Sequence, residues 1–306
     1  MEPDMRIGFF GGSNVPTLDA VVASARRAHD HGFDTFWLPQ VTGLDALVAL
    51  AVVAREVPTI ELATAVVPIQ GRHPLPLALA ALTVADAAGP GRFTLGLGVT
   101  HPSVSEGWFG VPYSGIVDAC GEVLTALSGL FSDGRRADVD GRHLQVHAST
   151  AIRAAAPGIV LAAMGSRMIR LAATHADGTL TWMSGPEAVR SVAGRLQVAA
   201  AAAGRPAPRV AVGIPVCVTD DAASTRARMA TYMNMAARMP AYARQLAIEG
   251  VAQPVDLAVV GSEAQVDAHL DRFAAAGMTE LCANIVGAPE DVARTMAHLA
   301  RRRSRS

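Results

Sequence analysis

Gly98-Val99-Thr100-His101 closes a glycine-rich apolar run, and Glu106 follows five residues later. An imidazole titrates near neutrality and can give or take a proton during turnover; a nearby carboxylate is the alternative. His101 and Glu106 are therefore the candidate proton-handling residues. A second segment, Ala162-Ala163-Met164-Gly165-Ser166, joins an apolar run to a helical pattern. Small residues at a helix start expose unpaired backbone N–H groups, which together with the helix dipole attract phosphate. Arg167 and Arg170 follow and add charge, although Arg170 also suits the outer face of a helix. Gln40 ends Trp37-Leu38-Pro39; its amide donates and accepts hydrogen bonds but does not titrate. Trp108, Phe109, Tyr113 and Trp182 are candidates to line an apolar pocket. Met233, Met235 and Met239, near Tyr232 and Tyr242, form a methionine-rich stretch suited to a lid, a subunit contact or plain packing.

Composition removes several classes of function. All 26 basic residues are arginine, so the chain has no lysine amine for a Schiff base and none for a Walker-type phosphate loop. The net charge of −1 gives no electrostatic reason to expect nucleic acid. Cys120, Cys217 and Cys282 are scattered, with no metal-ligand or CxxC spacing, and read as reduced and buried. No apolar run approaches the ~20 residues that span a bilayer. The N-terminus lacks a basic segment followed by an apolar one, so a cytoplasmic chain is expected. The arginine-rich end, residues 301–306, reads as a disordered tail.

These candidates need elements that converge on one place. Short β-branched runs alternate with alanine-rich helical patterns: strands at Arg6 to Phe10, Thr35 to Leu38, Ile60 to Val67, Phe93 to Val99, Ile159 to Ala163, Gly178 to Met183, Val210 to Val218 and Glu280 to Val286. Each is followed by a helical segment, with extra material after the fourth and seventh strands. Thr100 to Ser114 reads as a long loop. A hairpin turns at Asp140-Gly141, and Asp220 to Glu249 is helical with a break near Pro240. Alternation of this kind demands a parallel sheet with helices outside, and eight units favour a single α/β domain over residues 1–306, a closed (β/α)8 TIM barrel. Gly11-Gly12-Ser13 is not a GxGxxG fingerprint, so nothing points to a Rossmann site. In a barrel the candidates above fall at the C-terminal ends of strands, where such folds do their chemistry.

The chain resembles the bacterial luciferase-like monooxygenase superfamily, and within it the branch of oxidoreductases that use coenzyme F420, a deazaflavin. The resemblance rests on Met5-Arg6-Ile7-Gly8, Gly32 to Leu38, Leu62 to Pro74, Gly91 to Gly98, Val160 to Gly165 and Ala176-Asp177-Gly178, in that order along nearly the whole chain. It implies a luciferase-like barrel, usually dimeric, with F420 or FMN across the C-terminal mouth. It also implies a non-proline cis peptide at Ala65–Val66 behind the ring. Gly98, Val99, Thr100 and Gln40 would border the cofactor, and Ala163, Met164, Gly165 and Ser166 would hold its phosphate. Trp108 and Trp182 would line the substrate pocket. Gln40 stands where many relatives carry Asp or His, which weakens the analogy to the branch's sugar-phosphate dehydrogenases.

The activity so implied is hydride transfer between the deazaflavin and a small organic substrate: reduction of an activated C=C or C=N bond, or alcohol oxidation. Two alternatives stand beside it, an FMN-dependent monooxygenase and a non-catalytic barrel that binds a flavin or deazaflavin.

Overall fold

The computed structural model describes residues 5–233 and 239–303. Eight parallel staves close on one another. They are β1 (Arg6–Phe10), β2 (Thr35–Leu38), β3 (Glu61–Thr64) continued by β4 (Val67–Pro68), β5 (Phe93–Gly98), β8 (Gly158–Leu161), β9 (Gly178–Trp182), β10 (Arg209–Val218) and β12 (Glu280–Ile285). Neighbours pair in sequence order, and β12 returns to pair with β1, from Arg6 opposite Glu280 to Phe9 opposite Ala283. The chain is thus the expected (β/α)8 barrel.

Helices α1 (Leu18–Asp30), α2 (Ala46–Glu56), α3 (Pro74–Ala88), α5 (Ile116–Phe131), α6 (Ser166–His175), α7 (Pro186–Ala202), α10 (Glu263–Ala275) and α11 (Pro289–Arg303) surround it. Their apolar stripes and the outward faces of the strands form one large buried cluster. A smaller cluster fills the barrel itself: Phe10, Trp37, Ala63, Val160, Leu180, Ala211 and Cys282. Alternation along each strand separates the two sets. Among the described residues no helix is long and apolar enough to cross a membrane.

Three expectations change in detail. The third strand is not continuous to Val67; it breaks at the Ala65–Val66 peptide, which is cis as expected. Thr64 bridges the break. Its hydroxyl donates to the Gly96 carbonyl at 2.8 Å and accepts from the Gly96 N–H at 2.8 Å. Gly96 must be glycine, because a Cβ there would lie 1.8 Å from the Thr64 carbonyl oxygen. The loop after β5 holds a short helix, α4 (Pro102–Gly107), because Pro102 sits at its first turn and Ser105 donates to the Val111 carbonyl at 2.8 Å, folding the loop back. The hairpin is present as β6 (Arg136–Asp140) and β7 (Gln145–Ser149).

The third change is at the C-terminus. Arg301, Arg302 and Arg303 are not a disordered tail: α11 runs to Arg303, because Arg302 bonds Asp267 and Asp271 on α10 and Arg303 bonds Asp34 at 2.8 Å. Residues 304–306 lie outside the described residues.

After β10 the chain forms α8 (Ala222–Met233) and α9 (Pro240–Glu249), separated near Pro240 as expected. Met235 lies outside the described residues. A 3₁₀ turn (Pro254–Leu257) then leads into β11 (Val259–Gly261), which extends the pairing of β10.

Candidate active site at the barrel mouth

A cavity of about 680 Å³ opens at the C-terminal ends of the strands. Its floor is Phe10, Ala65, Val66, Leu180 and Trp182. The Phe10 and Trp182 rings lie 4.8 Å apart. The bulge brings Val66 inward, and Gly98 makes the room: a Cβ on Gly98 would meet Val66 Cγ2 at 2.7 Å and Ala162 Cβ at 3.0 Å. Gly98 therefore shapes the floor without lining it. A cavity of this size, largely apolar with a few polar groups, is of the kind that takes a cofactor and a small substrate.

One wall is Val99, Thr100 and His101. The Thr100 N–H donates to Gln70 Oε1 at 3.2 Å, which fixes the turn. His101 is half-buried at the start of α4, and its ring makes no capping bond. Burial holds its imidazole below the ordinary histidine pKa, so it is neutral at pH 7. Its ring centroid lies 6.1 Å from that of Tyr242 on α9. Burial pushes the Tyr242 phenol up to about 12.

Glu106 does not join His101. It is exposed and does not line the cavity, and its carboxylate accepts from the Tyr113 N–H at 3.2 Å. The five-residue spacing that suggested a proton donor is spent on closing the loop.

The adjoining wall, at the end of the neighbouring stave, is Ala162 to Gly165. Gly165 is the N-cap of α6 and offers no side chain to the helix's first N–H groups; a Cβ there meets nothing within 4 Å. Ser166 begins the helix behind this wall and does not line the cavity. By contrast, the start of α7 is closed by Glu249 of α9, which accepts from the Ala188 N–H at 2.7 Å, and the start of α2 by Asp45 and Gln40. The open α6 terminus faces the cavity beside small residues, an arrangement that suits an anion. Arg167 is tied to Asp118, whereas Arg195 of α7 reaches the Met164 carbonyl at 3.4 Å, a contact sequence reasoning did not anticipate.

Gln40 lines the cavity, but its Oε1 is already engaged by the Ala46 N–H at 2.7 Å. Trp108 and Phe109 stand at the outer rim, 60% and 41% exposed. The fourth side comes from the stretch for which a lid was one reading: α9 lines the mouth with Tyr242, Arg244 and Gln245, of which sequence reasoning had named only Tyr242. The only signal is helical spacing, which puts Tyr242, Gln245 and Leu246 on one face. Among the described residues no group of three or more His, Cys, Asp or Glu side chains could hold a metal ion.

Comparison with known proteins agrees with this geometry. Over 113 residues, 36% of this chain and 32% of the relative, it is 38% identical to a Mycobacterium tuberculosis protein named as a candidate coenzyme F420-dependent oxidoreductase. Over 69% of this chain and 65% of the relative it is 26% identical to 5,10-methylenetetrahydromethanopterin reductase of Methanolobus tindarius. The matches thus span less than two thirds of either relative. Among solved structures, an F420-dependent secondary alcohol dehydrogenase in complex with an F420-acetone adduct superimposes with a TM-score of 0.82, covering 97% of this chain and 98% of that one at 16% identity, a likeness of fold. The luciferase-like monooxygenase family is matched over residues 5–305, nearly every element described above. The barrel, its broken third stave and the cavity above them are those of a chain that belongs to the luciferase-like monooxygenase family.

Proposed function

We propose that the protein is an F420-dependent oxidoreductase acting on a small organic substrate at the barrel mouth. The observation that carries this reading is the pairing, in one cavity, of an open helix N-terminus at Gly165 with the floor built by the Ala65–Val66 bulge. The residues fit such a cofactor. Ala65, Val66 and Val99 give a flat apolar seat. Ala163, Met164, Gly165 and Ser166 offer backbone donors for a phosphodiester, and the space beside Gly165 is clear of side chains. The similarity to a relative named for F420 supports the deazaflavin over FMN.

When bound, the deazaflavin supplies or accepts the hydride; the chain supplies position and a proton path. His101 holds the proton at its imidazole. Because burial keeps it neutral at pH 7, it is set to take a proton from a substrate hydroxyl as a carbonyl forms, and to return it in the reverse direction. The same imidazole serves alcohol oxidation as base and, once protonated, the reduction of a C=C or C=N bond as acid. Tyr242, Trp182 and the rim residue Trp108 exclude water from the reacting carbon.

The test is titration of the purified protein with F420 and FMN side by side. F420 is expected to bind at micromolar concentration or below and FMN more weakly; tight FMN binding with no F420 binding would replace this reading by the monooxygenase one. Binding of F420 with no turnover of any alcohol, enone or imine tried would favour the non-catalytic barrel.

The reading includes a cytoplasmic protein, in keeping with three buried free cysteines, and a homodimer. Val48 on α2 and Leu79 on the adjacent α3 leave apolar side chains exposed, which supports a subunit contact there. Sedimentation of wild type against Val48→Arg checks it.

A further inference from the structure

Gln245 is 3% exposed, and its Oε1, shut off from solvent, accepts no hydrogen bond among the described residues. Its side chain lines the mouth cavity, where rotation about the broad last torsion of the amide would present that oxygen to a bound molecule; the other walls near the floor are largely carbon, from Phe10, Val66, Leu180 and Trp182. Leaving a buried amide unsatisfied costs stability, and native folds almost always avoid it. Glu249, one turn further along α9, is engaged: it closes the start of α7. Gln245 stands three residues, one helical turn, from Tyr242, whose ring faces His101.

We propose that Gln245 is the specificity-determining residue of this cavity, and that it selects neutral, ring-sized substrates carrying a hydroxyl or amide group apart from the reacting carbon. A primary carboxamide offers one acceptor and two donors side by side. Its natural complement is a group that both gives and takes a hydrogen bond, which a hydroxyl or an amide does and a ketone, ether or hydrocarbon does not. The one cation of this wall, Arg244, is exposed at the rim, so the enclosed part of the cavity meets a neutral group. The inference rests on reading the mouth as the substrate site beside the deazaflavin.

The test uses the whole protein, with and without saturating F420. Dissociation constants are measured by ligand-observed NMR for two ring-matched pairs: cyclohexanone against 4-hydroxycyclohexanone, and cyclopentanone against pyrrolidin-2-one. Wild type is expected to bind the hydroxyl- and amide-bearing members about tenfold more tightly, the scale of one neutral hydrogen bond. In Gln245→Met, of similar shape but without the amide, that ratio collapses toward one. The melting temperature holds or rises, because an unsatisfied polar group has been replaced by carbon. Gln245→Asn, which withdraws the amide by one methylene, keeps a reduced ratio.

Equal ratios in wild type and Gln245→Met overturn the proposal. So does failure of both donor-bearing compounds to bind wild type, or a Gln245→Met protein that melts markedly lower or does not fold, since the amide would then serve the fold. Absence of F420 binding with the ratio and its collapse intact would remove the redox reading and leave this one standing; F420 binding without the ratio would do the reverse.

Discussion

At the scale of single residues, His101 carries the most chemistry. It follows a strand end, lies against Tyr242 and is held neutral by burial. His101→Ala is expected to lower turnover by about 10²–10⁴-fold, the range for a lost acid–base group, with little change in F420 affinity. The pH dependence has a definite sign. With the imidazole pKa lowered below 6.5, the base form is already present at neutrality. The rate of alcohol oxidation should rise with pH along an acid limb centred below the ordinary histidine pKa, and His101→Ala should lose that limb. A limb centred above pH 7 would assign it to another group. Glu106→Gln should turn over normally, because its carboxylate serves the Tyr113 backbone outside the cavity. If instead Glu106→Gln is dead and His101→Ala active, the proton path runs through the loop.

At the scale of elements, the site depends on which helix starts are closed. Asp45, Glu249 and the Ser262–Gln265 capping box close three of them, and α6 is left open toward the cavity. Gly165→Asp tests the consequence. Gly165 has φ −82° and free space where a Cβ would go, so the substitution is compatible with the backbone, and aspartate is a good N-cap. The fold should be unharmed. Its carboxylate would take the donors a phosphate needs, each charge-assisted bond being worth about 1.5–3 kcal/mol. F420 affinity should fall roughly tenfold to a hundredfold per bond lost, read by calorimetry. Unchanged affinity in a folded variant would move the anion site elsewhere.

The open helix start was legible in the sequence, because Ala162 to Ser166 joins a β-branched run to a helical pattern and both halves are local. The bulge at Ala65–Val66 was legible only through family resemblance. The role of α9 was not legible. Its residues lie more than 140 positions from His101, and helical spacing gives a face without saying what the face covers. Glu106 misled for the related reason that five residues of loop do not fix a direction.

At the scale of the whole molecule, the barrel is tied shut at the end away from the cavity. Glu280 on β12 is fully buried. It accepts from Trp37 Nε1 at 2.8 Å and from Arg209 Nε at 2.7 Å, with Arg6 Nε 3.7 Å away. Arg6 in turn reaches Glu61 at 2.7 Å, and the Arg209 guanidinium lies 5.0 Å from the centre of the Trp37 ring. Five staves, β1, β2, β3, β10 and β12, therefore meet at one cluster. Glu280→Gln leaves these arginines without their buried counter-charge and should cost about 3–5 kcal/mol, the scale for removing one partner of a buried pair. Denaturant unfolding reads it directly. The double variant Glu280→Gln with Arg209→Met should lose less than Glu280→Gln alone, because the new amide still accepts from Trp37 Nε1, Arg6 keeps Glu61, and the cation closest to position 280 is gone. F420 affinity of the folded fraction should stay near that of wild type, since the cluster lies beneath Trp37 and the cofactor seat above it. A Glu280→Gln protein as stable as wild type would mean that apolar packing alone closes the barrel. A stable variant with weakened F420 binding would mean instead that Trp37 passes the disturbance up to the floor at Phe10 and Ala65, with which it packs.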